Sequence, residues 1–385
     1  MAESAEVLKE QFLLEPAVVF LNHGSFGACP KPVFAEYQRW QLEMERQPVE
    51  FLRWRLHPLL EESRNTLGSY FNVPGRDLVL IDNATWGVNV IARSMRFEPG
   101  DELLTTDHEY GACTMTWEWL LGKAGGRVVR HKVPLPVTTP EAFVESFWTS
   151  VTPRTKVIFM SHITSPTALI FPVAEICRRA REAGILTVID GAHVPGQLPL
   201  DLAAIGADAY AGNLHKWLCA PKGAGFLHVR PAHHEWVESL IVSWGWGIGG
   251  DIVESTFVQR NEWQGTRDYA AYLSVPAAIE FQAAHDWSAV RARCHELASA
   301  TRREISNLTD LPPICPDDPA WFGQLVSCPI RTADPLKLKT RLYEEFNIEV
   351  PTVQWQGRQF VRVSVQGYNT ANDGRRLVEA LQRLV

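Results

Sequence analysis

The stretch Ala207–Val229, ADAYAGNLHKWLCAPKGAGFLHV, carries the reading of the fold. A short apolar strand, DAYAG, runs into a polar turn holding Asn213, His215 and Lys216. Pro221, Lys222 and Gly223 then bend the chain into a second apolar strand, GAGFLHV. Lysine is among the residues least often buried without a partner, so Lys216 between two apolar strands is a chemical signal. Out of water its pKa falls, and the free amine attacks a carbonyl to form a Schiff base. Taken alone, the same turn also suits a surface lysine beside a structural histidine. The residues upstream decide.

From about Asp77, short β-branched runs alternate with helical stretches. DLVLI precedes a helix from Thr85 to Met95, and DELLT precedes one around Tyr110 to Leu121. RVVRHKV, TKVIFMSH, the helix VAEICRRAREAG, ILTVID and DAYAG follow. This alternation predicts an α/β fold with a largely parallel sheet between helices. Ligands in such folds sit at the carboxyl ends of the strands.

Residues 1–20 read as a leading arm. The loop Asn22-His23-Gly24-Ser25-Phe26-Gly27 is glycine-broken and can let backbone approach a ligand closely, though an ordinary turn is the better local reading. Pro32 to Phe71 is helical in pattern, with Pro48 and Pro58 breaking or beginning turns within it. Beyond Arg267 a helical pattern runs from Tyr269 to His285. Helix-rich sequence to Asn307, strand-like GQLVSCPI, helical PLKLKTRLYEEF, strand-like FVRVSV and a last helix form a smaller α+β unit. With the boundary near Trp287, the expected division is an arm (1–20), a large domain (21–287) and a small C-terminal domain (288–385).

Composition narrows the class. Lysine and arginine number 37 against 44 acidic residues, a net charge of -7, which argues against nucleic acid or an anionic membrane as main partner. The 7 cysteines form no CxxC pair, the pattern of reduced cytosolic thiols, so a cytoplasmic protein is expected. MAESAEVLKEQFLLEP has no basic start and does not read as a signal peptide. No apolar run approaches the ~18 residues of a membrane helix. Among the 14 tryptophans, Trp244, Trp246 and Trp263 lie by the glycine-rich GWGIGG and suit either a pocket wall or a dimer core, the latter somewhat better.

Polar residues follow the strands in series. Asn83-Ala84-Thr85 opens a helix and suits a phosphate site or a plain N-cap equally. In Asp107-His108-Glu109-Tyr110, an imidazole or phenol can lie on an aromatic ligand or exchange a proton, or the run is simply a polar loop. Ser161-His162 and Asp190-Gly191-Ala192-His193 end two apolar strands. An acid there is costly unless paired, and a protonated pyridine nitrogen is a natural partner. A metal on His162, Asp190 and His193 is the rival, though the spacings are not those of zinc clusters.

Taken together, LNHGSFG, NAT at 83, DHEYGA at 107, SHITS at 161, DGAH at 190, LHKW at 214 with PKGAGFL, QGTRD at 264 and RVSVQGYNT at 362 resemble a known family. Over nearly its whole length the chain resembles the class V aminotransferase group of fold type I pyridoxal 5'-phosphate (PLP) enzymes, most of all isopenicillin N epimerase-like proteins. The resemblance implies a mostly parallel seven-stranded sheet in the large domain, PLP as cofactor and an amino acid as substrate. It implies that Lys216 forms the Schiff base with PLP and that Asp190 pairs with the ring nitrogen. His193 and His162 would lie near the ring oxygen, and His108 would stack on the ring. Tyr110 would be an acid or base. Ala84, Thr85 and His215 would hold the phosphate, with Asn213 where many relatives have serine or threonine. Thr266 would reach the phosphate of a partner subunit, which implies a homodimer with shared sites. Asn22 and His23 would lie by the substrate, and Arg362 would grip its α-carboxylate.

The same resemblance implies chemistry at the α-carbon: epimerisation, β-elimination as in ergothioneine-pathway or cysteine lyases, or transamination. Cysteine desulfurases of the group need a nucleophilic cysteine shortly before the arginine. Here that region reads EVPTVQWQGRQFVRVS and contains none.

Overall fold

The strand Leu78–Ile81 shows how the molecule is layered. Leu78 and Leu80 belong to one hydrophobic core, whereas Val79 and Ile81 belong to another. Side chains alternate along a strand, so the sheet containing it is covered on both faces. The computed structural model describes residues 4–247 and 255–385. Its central sheet has seven strands. Their spatial order is Leu78–Ile81, Gly225–Val229, Ala209–Asn213, Leu186–Asp190, Thr155–Ser161, Glu102–Thr106 and Arg127–His131. All run parallel except Gly225–Val229, which is antiparallel to both neighbours. The link 214–224 is too short for a crossover helix, so the chain turns back beside the strand it has just left. That turn holds Lys216. The outermost strand, Arg127–His131, is the one whose residues are mostly not buried, in keeping with its two arginines.

Several helices depart from the sequence pattern. The expected helical stretch from Pro32 to Phe71 is four pieces: Lys31–Arg46, Pro48–Glu50, a π-helical turn Phe51–Arg55, and Leu56–Phe71. Pro48 lacks the N–H to continue the first helix and begins the next. The stretch Tyr269–His285 divides at Ser274 into Ala270–Leu273 and Val275–Ala284.

Beyond Asp286, which caps it, the long helix Trp287–Thr309 leads into a three-stranded antiparallel sheet. Its order is Thr352–Trp355, Arg358–Ser364, Leu325–Ile330, and helices Pro335–Phe346 and Ala371–Leu384 complete the unit. The leading segment has secondary structure of its own. It forms a helix, Ala5–Glu10, and Val19–Phe20 pairs in parallel with Ile348–Glu349. Among the described residues, no helix is long and apolar enough to cross a membrane.

Candidate active site

The carboxyl ends of the parallel strands bring the sequence-marked residues together. The Ala84 N–H, first in the helix Ala84–Ser94, donates to Asn213 Oδ1 at 2.8 Å, while Asn83 caps the same helix by accepting from the Trp86 N–H. Thus Asn213, at the end of its strand, ties the lysine turn to the helix start. Thr85 stands in the first turn of that helix. His215 faces the Ala224 carbonyl through Nδ1 at 3.0 Å, and burial lowers its pKa to about 4.

Lys216 is half-buried. Its Nζ lies 3.3 Å from His193 Nε2, and His193 Nδ1 accepts from the Trp217 indole N–H at 3.3 Å. These roles are forced. An indole can only donate, so Nδ1 accepts, and a neutral imidazole then carries its proton on Nε2. Burial, then Lys216 and Arg362 nearby, holds the His193 pKa well below its usual range, so the ring is neutral. The Nε2–H therefore meets the lysine nitrogen as a donor, which suits an unprotonated amine. Burial, then Arg362, lowers the Lys216 pKa to about 8, with Asp190 and Cys113 opposing.

Asp190 is buried at the end of its strand. Its Oδ1 accepts from the Ala192 N–H at 2.9 Å, and its Oδ2 receives only the Cys113 thiol, at 3.6 Å. Burial raises its pKa, opposed by the Ala192 N–H, Lys216 and Cys113. Among the described residues no cation stands within ion-pair distance of it. His162 bridges the adjoining strand end: its N–H donates to the Asp190 carbonyl at 2.8 Å, and its ring meets the Tyr210 hydroxyl at 3.0 Å.

Glu109 is a group the sequence reading passed over. Its Oε2 accepts from the Ser161 N–H at 2.8 Å and the Ser161 hydroxyl at 2.6 Å; its Oε1 accepts from the Thr106 hydroxyl at 2.6 Å. Ser161 pairs in register with Asp190, and burial, with Asp190 adding to it, raises Glu109 to about 7. Its position inside DHEYGA was the available signal.

His108 is fully buried, with Nδ1 against the Thr167 hydroxyl at 2.6 Å and Nε2 without a hydrogen-bond partner. Burial lowers its pKa to about 4. Trp355 packs on it, ring centroids 4.2 Å apart, from the hairpin that carries Arg362. Asp107 latches that hairpin: its carbonyl accepts from the Trp355 indole at 2.8 Å, and its Oδ2 from the Gln356 amide at 2.5 Å. The segment ahead of Arg362 is thus a pinned hairpin. Tyr110, by contrast, is exposed on the single chain.

Arg362 is buried, and burial lowers its pKa to about 10. Nη1 donates to the Ser165 carbonyl at 2.6 Å and Nη2 to the Ser25 hydroxyl at 3.1 Å, while Nε has no partner. Among the described residues no carboxylate pairs with it. Asn22 lies beside Ser25, its amide already engaged at both ends. His23 requires a correction. It is completely buried, its ring held between the Tyr368 hydroxyl at 2.9 Å and the Lys216 carbonyl at 3.0 Å, so no face of it is open to a substrate. The glycine loop approaches the lysine backbone: a Cβ on Gly27, at φ +71, would lie 2.0 Å from the His215 carbonyl oxygen. Thr266 is exposed and far along the chain from these groups. Trp244 is 70% exposed and Trp246 36%, whereas Trp263 stacks on Tyr269; the adjoining residues 248–250 lie outside the described residues.

PLP fits this set of unmatched groups. A protonated pyridine nitrogen matches the unpaired acid Asp190, an aldehyde matches the amine of Lys216, and an amino acid carboxylate matches the unpaired Arg362. Among the described residues, no group of three His, Cys, Asp or Glu side chains is placed to hold a metal ion.

Comparison with known proteins gives the same direction. The family Aminotransferase class-V matches residues 29–377. Isopenicillin N epimerase of Amycolatopsis lactamdurans is 37% identical over 98% of this chain and 97% of its own length. A probable chloroplastic L-cysteine desulfhydrase of Arabidopsis thaliana is 30% identical over 99% of this chain and 86% of its own. In fold, the chain is similar to apo cysteine desulfurase from Thermococcus onnurineus NA1, with TM-score 0.82, 18% identity, and 100% and 99% of the two chains covered. A C-DES variant with glycine covalently linked to the PLP cofactor gives TM-score 0.84, 20% identity, and 98% and 99% coverage. The chain therefore belongs to the class V aminotransferase family and is a PLP-dependent enzyme.

Proposed function

We propose that the enzyme is an amino acid epimerase of the isopenicillin N epimerase-like kind, acting at the α-carbon. The observation that carries this reading is the chain Trp217 to His193 to Lys216, which turns an imidazole N–H toward the lysine nitrogen and so favours its unprotonated form. Arg362 binds the α-carboxylate with its planar fork of donors. Lys216 removes the α-proton. Asp190 would hold a proton on the ring nitrogen, Ala84, Thr85, Asn213 and His215 would hold the phosphate, and His162 and His193 would lie near the ring. When bound, PLP supplies an electron-accepting ring that stabilises charge at the α-carbon. Inversion needs a second acid on the opposite face, the work we assign to Tyr110, while His108 would stack on the ring. The division into an arm (1–20), a large domain (21–287) and a small domain (288–385) belongs to this reading.

The experiment is incubation with L- and D-amino acids in D₂O. Deuterium at the α-carbon of both enantiomers, lost in Lys216→Ala, supports epimerisation. Pyruvate and ammonia from cysteine-type substrates, without inversion, would replace it with the second reading, a carbon–sulfur β-lyase, which the likeness to the desulfhydrase favours. Transamination ranks below both. A desulfurase is disfavoured by the pinned hairpin without a thiol and by the burial of Cys315 and Cys328.

The same reading makes the working unit a homodimer with shared sites, Thr266 reaching the partner's phosphate. Its exposure on the single chain supports that role. Sedimentation as a monomer with cofactor bound would refute it. A cytoplasmic location, with neither membrane nor nucleic acid as partner, accords with seven free thiols and the net charge of -7. Cell fractionation tests the location.

A further inference from the structure

Arg362 ends a hydrogen-bond chain in which every role is determined. Guanidinium donates only, so Ser25 Oγ accepts from Nη2 at 3.1 Å. The Ser25 hydroxyl proton then goes to Asn22 Oδ1, at 2.5 Å. That orients the Asn22 amide, whose Nδ2 donates to Glu349 Oε1 at 2.7 Å. A carboxylate ends the chain because it only accepts. Neither terminal charge has a direct ion-pair partner among the described residues.

The backbone holds this chain in place. Leu21 donates its N–H to the Glu349 carbonyl at 2.9 Å, and its own carbonyl accepts from the Ser364 N–H at 2.9 Å. The leading segment therefore lies between the strand bearing Glu349 and the strand bearing Arg362. On its other side Arg362 reaches Ser165, just past the central sheet. Three separate parts of the chain thus meet at one guanidinium, whose Nε remains without a partner.

We propose that Glu349 is a positioning residue for substrate carboxylate binding: through Asn22 and Ser25 it sets the orientation of the Arg362 guanidinium. The proposal rests on the reading that Arg362 takes the α-carboxylate. It places Asn22 two hydrogen bonds behind the arginine, with Ser25 between them.

The test titrates the holoenzyme with L-alanine and with L-alaninamide, which lacks the carboxylate, following cofactor absorbance. Glu349→Ala is expected to weaken L-alanine about tenfold, the equivalent of one charge-assisted hydrogen bond, and to leave alaninamide within about twofold. Glu349→Gln keeps an acceptor oxygen and is expected to stay within about threefold for both. Ser25→Ala interrupts the chain from the other end. It should reproduce the carboxylate-selective loss, and it serves where Glu349→Ala fails to fold. Equal weakening of both ligands, or no weakening of L-alanine, in the folded variants overturns the proposal. Arg362→Ala is the control: if it leaves L-alanine unchanged, the reading of Arg362 itself has failed.

Discussion

Asp208 and Asp190 stand at opposite ends of the same pair of neighbouring strands, and both are buried. Where the strands begin, Asp208 Oδ1 meets Arg230 at 2.8 Å and His233 at 2.9 Å, and Oδ2 accepts from the Thr187 N–H at 2.8 Å. Burial pushes its pKa up, but His233 and Thr187 outweigh that, and the pKa ends lowered. Where the strands end, Asp190 meets a backbone N–H and a thiol, and its pKa ends raised. Glu102, also at a strand start, repeats the first arrangement with Arg127, Arg154 and Thr152. Two acids under similar burial thus differ in whether the chain supplies their partners. An acid satisfied from within supports structure; one left for a ligand marks the site.

Five substitutions break or sharpen that contrast. The largest effect belongs to the ligand-facing end: Lys216→Ala should lower α-deuterium exchange about 10⁴-fold, and Asp190→Ala about 10²-fold or more. Chemical denaturation of both should stay close to the parent. Asp208→Ala should do the reverse, costing about 2 kcal/mol of stability by leaving buried donors unmatched, while activity per folded molecule persists.

Next comes Trp217→Phe, which removes the donor that fixes the His193 tautomer. Cofactor loading of apoenzyme needs the free amine, so its rate should rise with pH and level off above about 8. Without the indole, His193 Nε2 can accept from a lysine ammonium, which stabilises the protonated form. The midpoint should move above 8 and loading at pH 7 should slow about fivefold, as for one hydrogen bond of ~1 kcal/mol. An unchanged midpoint would show that the indole does not govern the amine.

The smallest effect is that of Glu109→Gln. Glu109 has a folded pKa raised to about 7 from an ordinary 4.5. Between those values the folded state holds a proton that the unfolded state has released, so this group's stabilising contribution is full below 4.5 and is lost as pH rises through 7. Glutamine should remove that part of the decline in apoenzyme melting temperature between pH 4.5 and 7. A decline identical to the parent's would dismiss the role.

Much of the site was legible because its residues directly follow strands. Asp190 after ILTVI and Lys216 after DAYAG are local signals, and a parallel sheet necessarily gathers such positions at one edge. Glu109 was in view but undistinguished, since its partners Thr106 and Ser161 are set by pairing across strands. His23 differs in that the family resemblance alone put it by the substrate, whereas Tyr368 and the Lys216 backbone enclose the ring.

The sequence by itself determined the order of strands and helices, the family and the cofactor chemistry, because apolar periodicity and short motifs are properties of neighbouring residues. Only the tertiary structure decided which charges are satisfied and which are left open. Arg362 and Ser25 are 337 positions apart, and Trp355 and Asp107 are 248 apart. Contacts over such separations arise from packing, and hydrogen-bond roles follow only once donor and acceptor have been brought within reach.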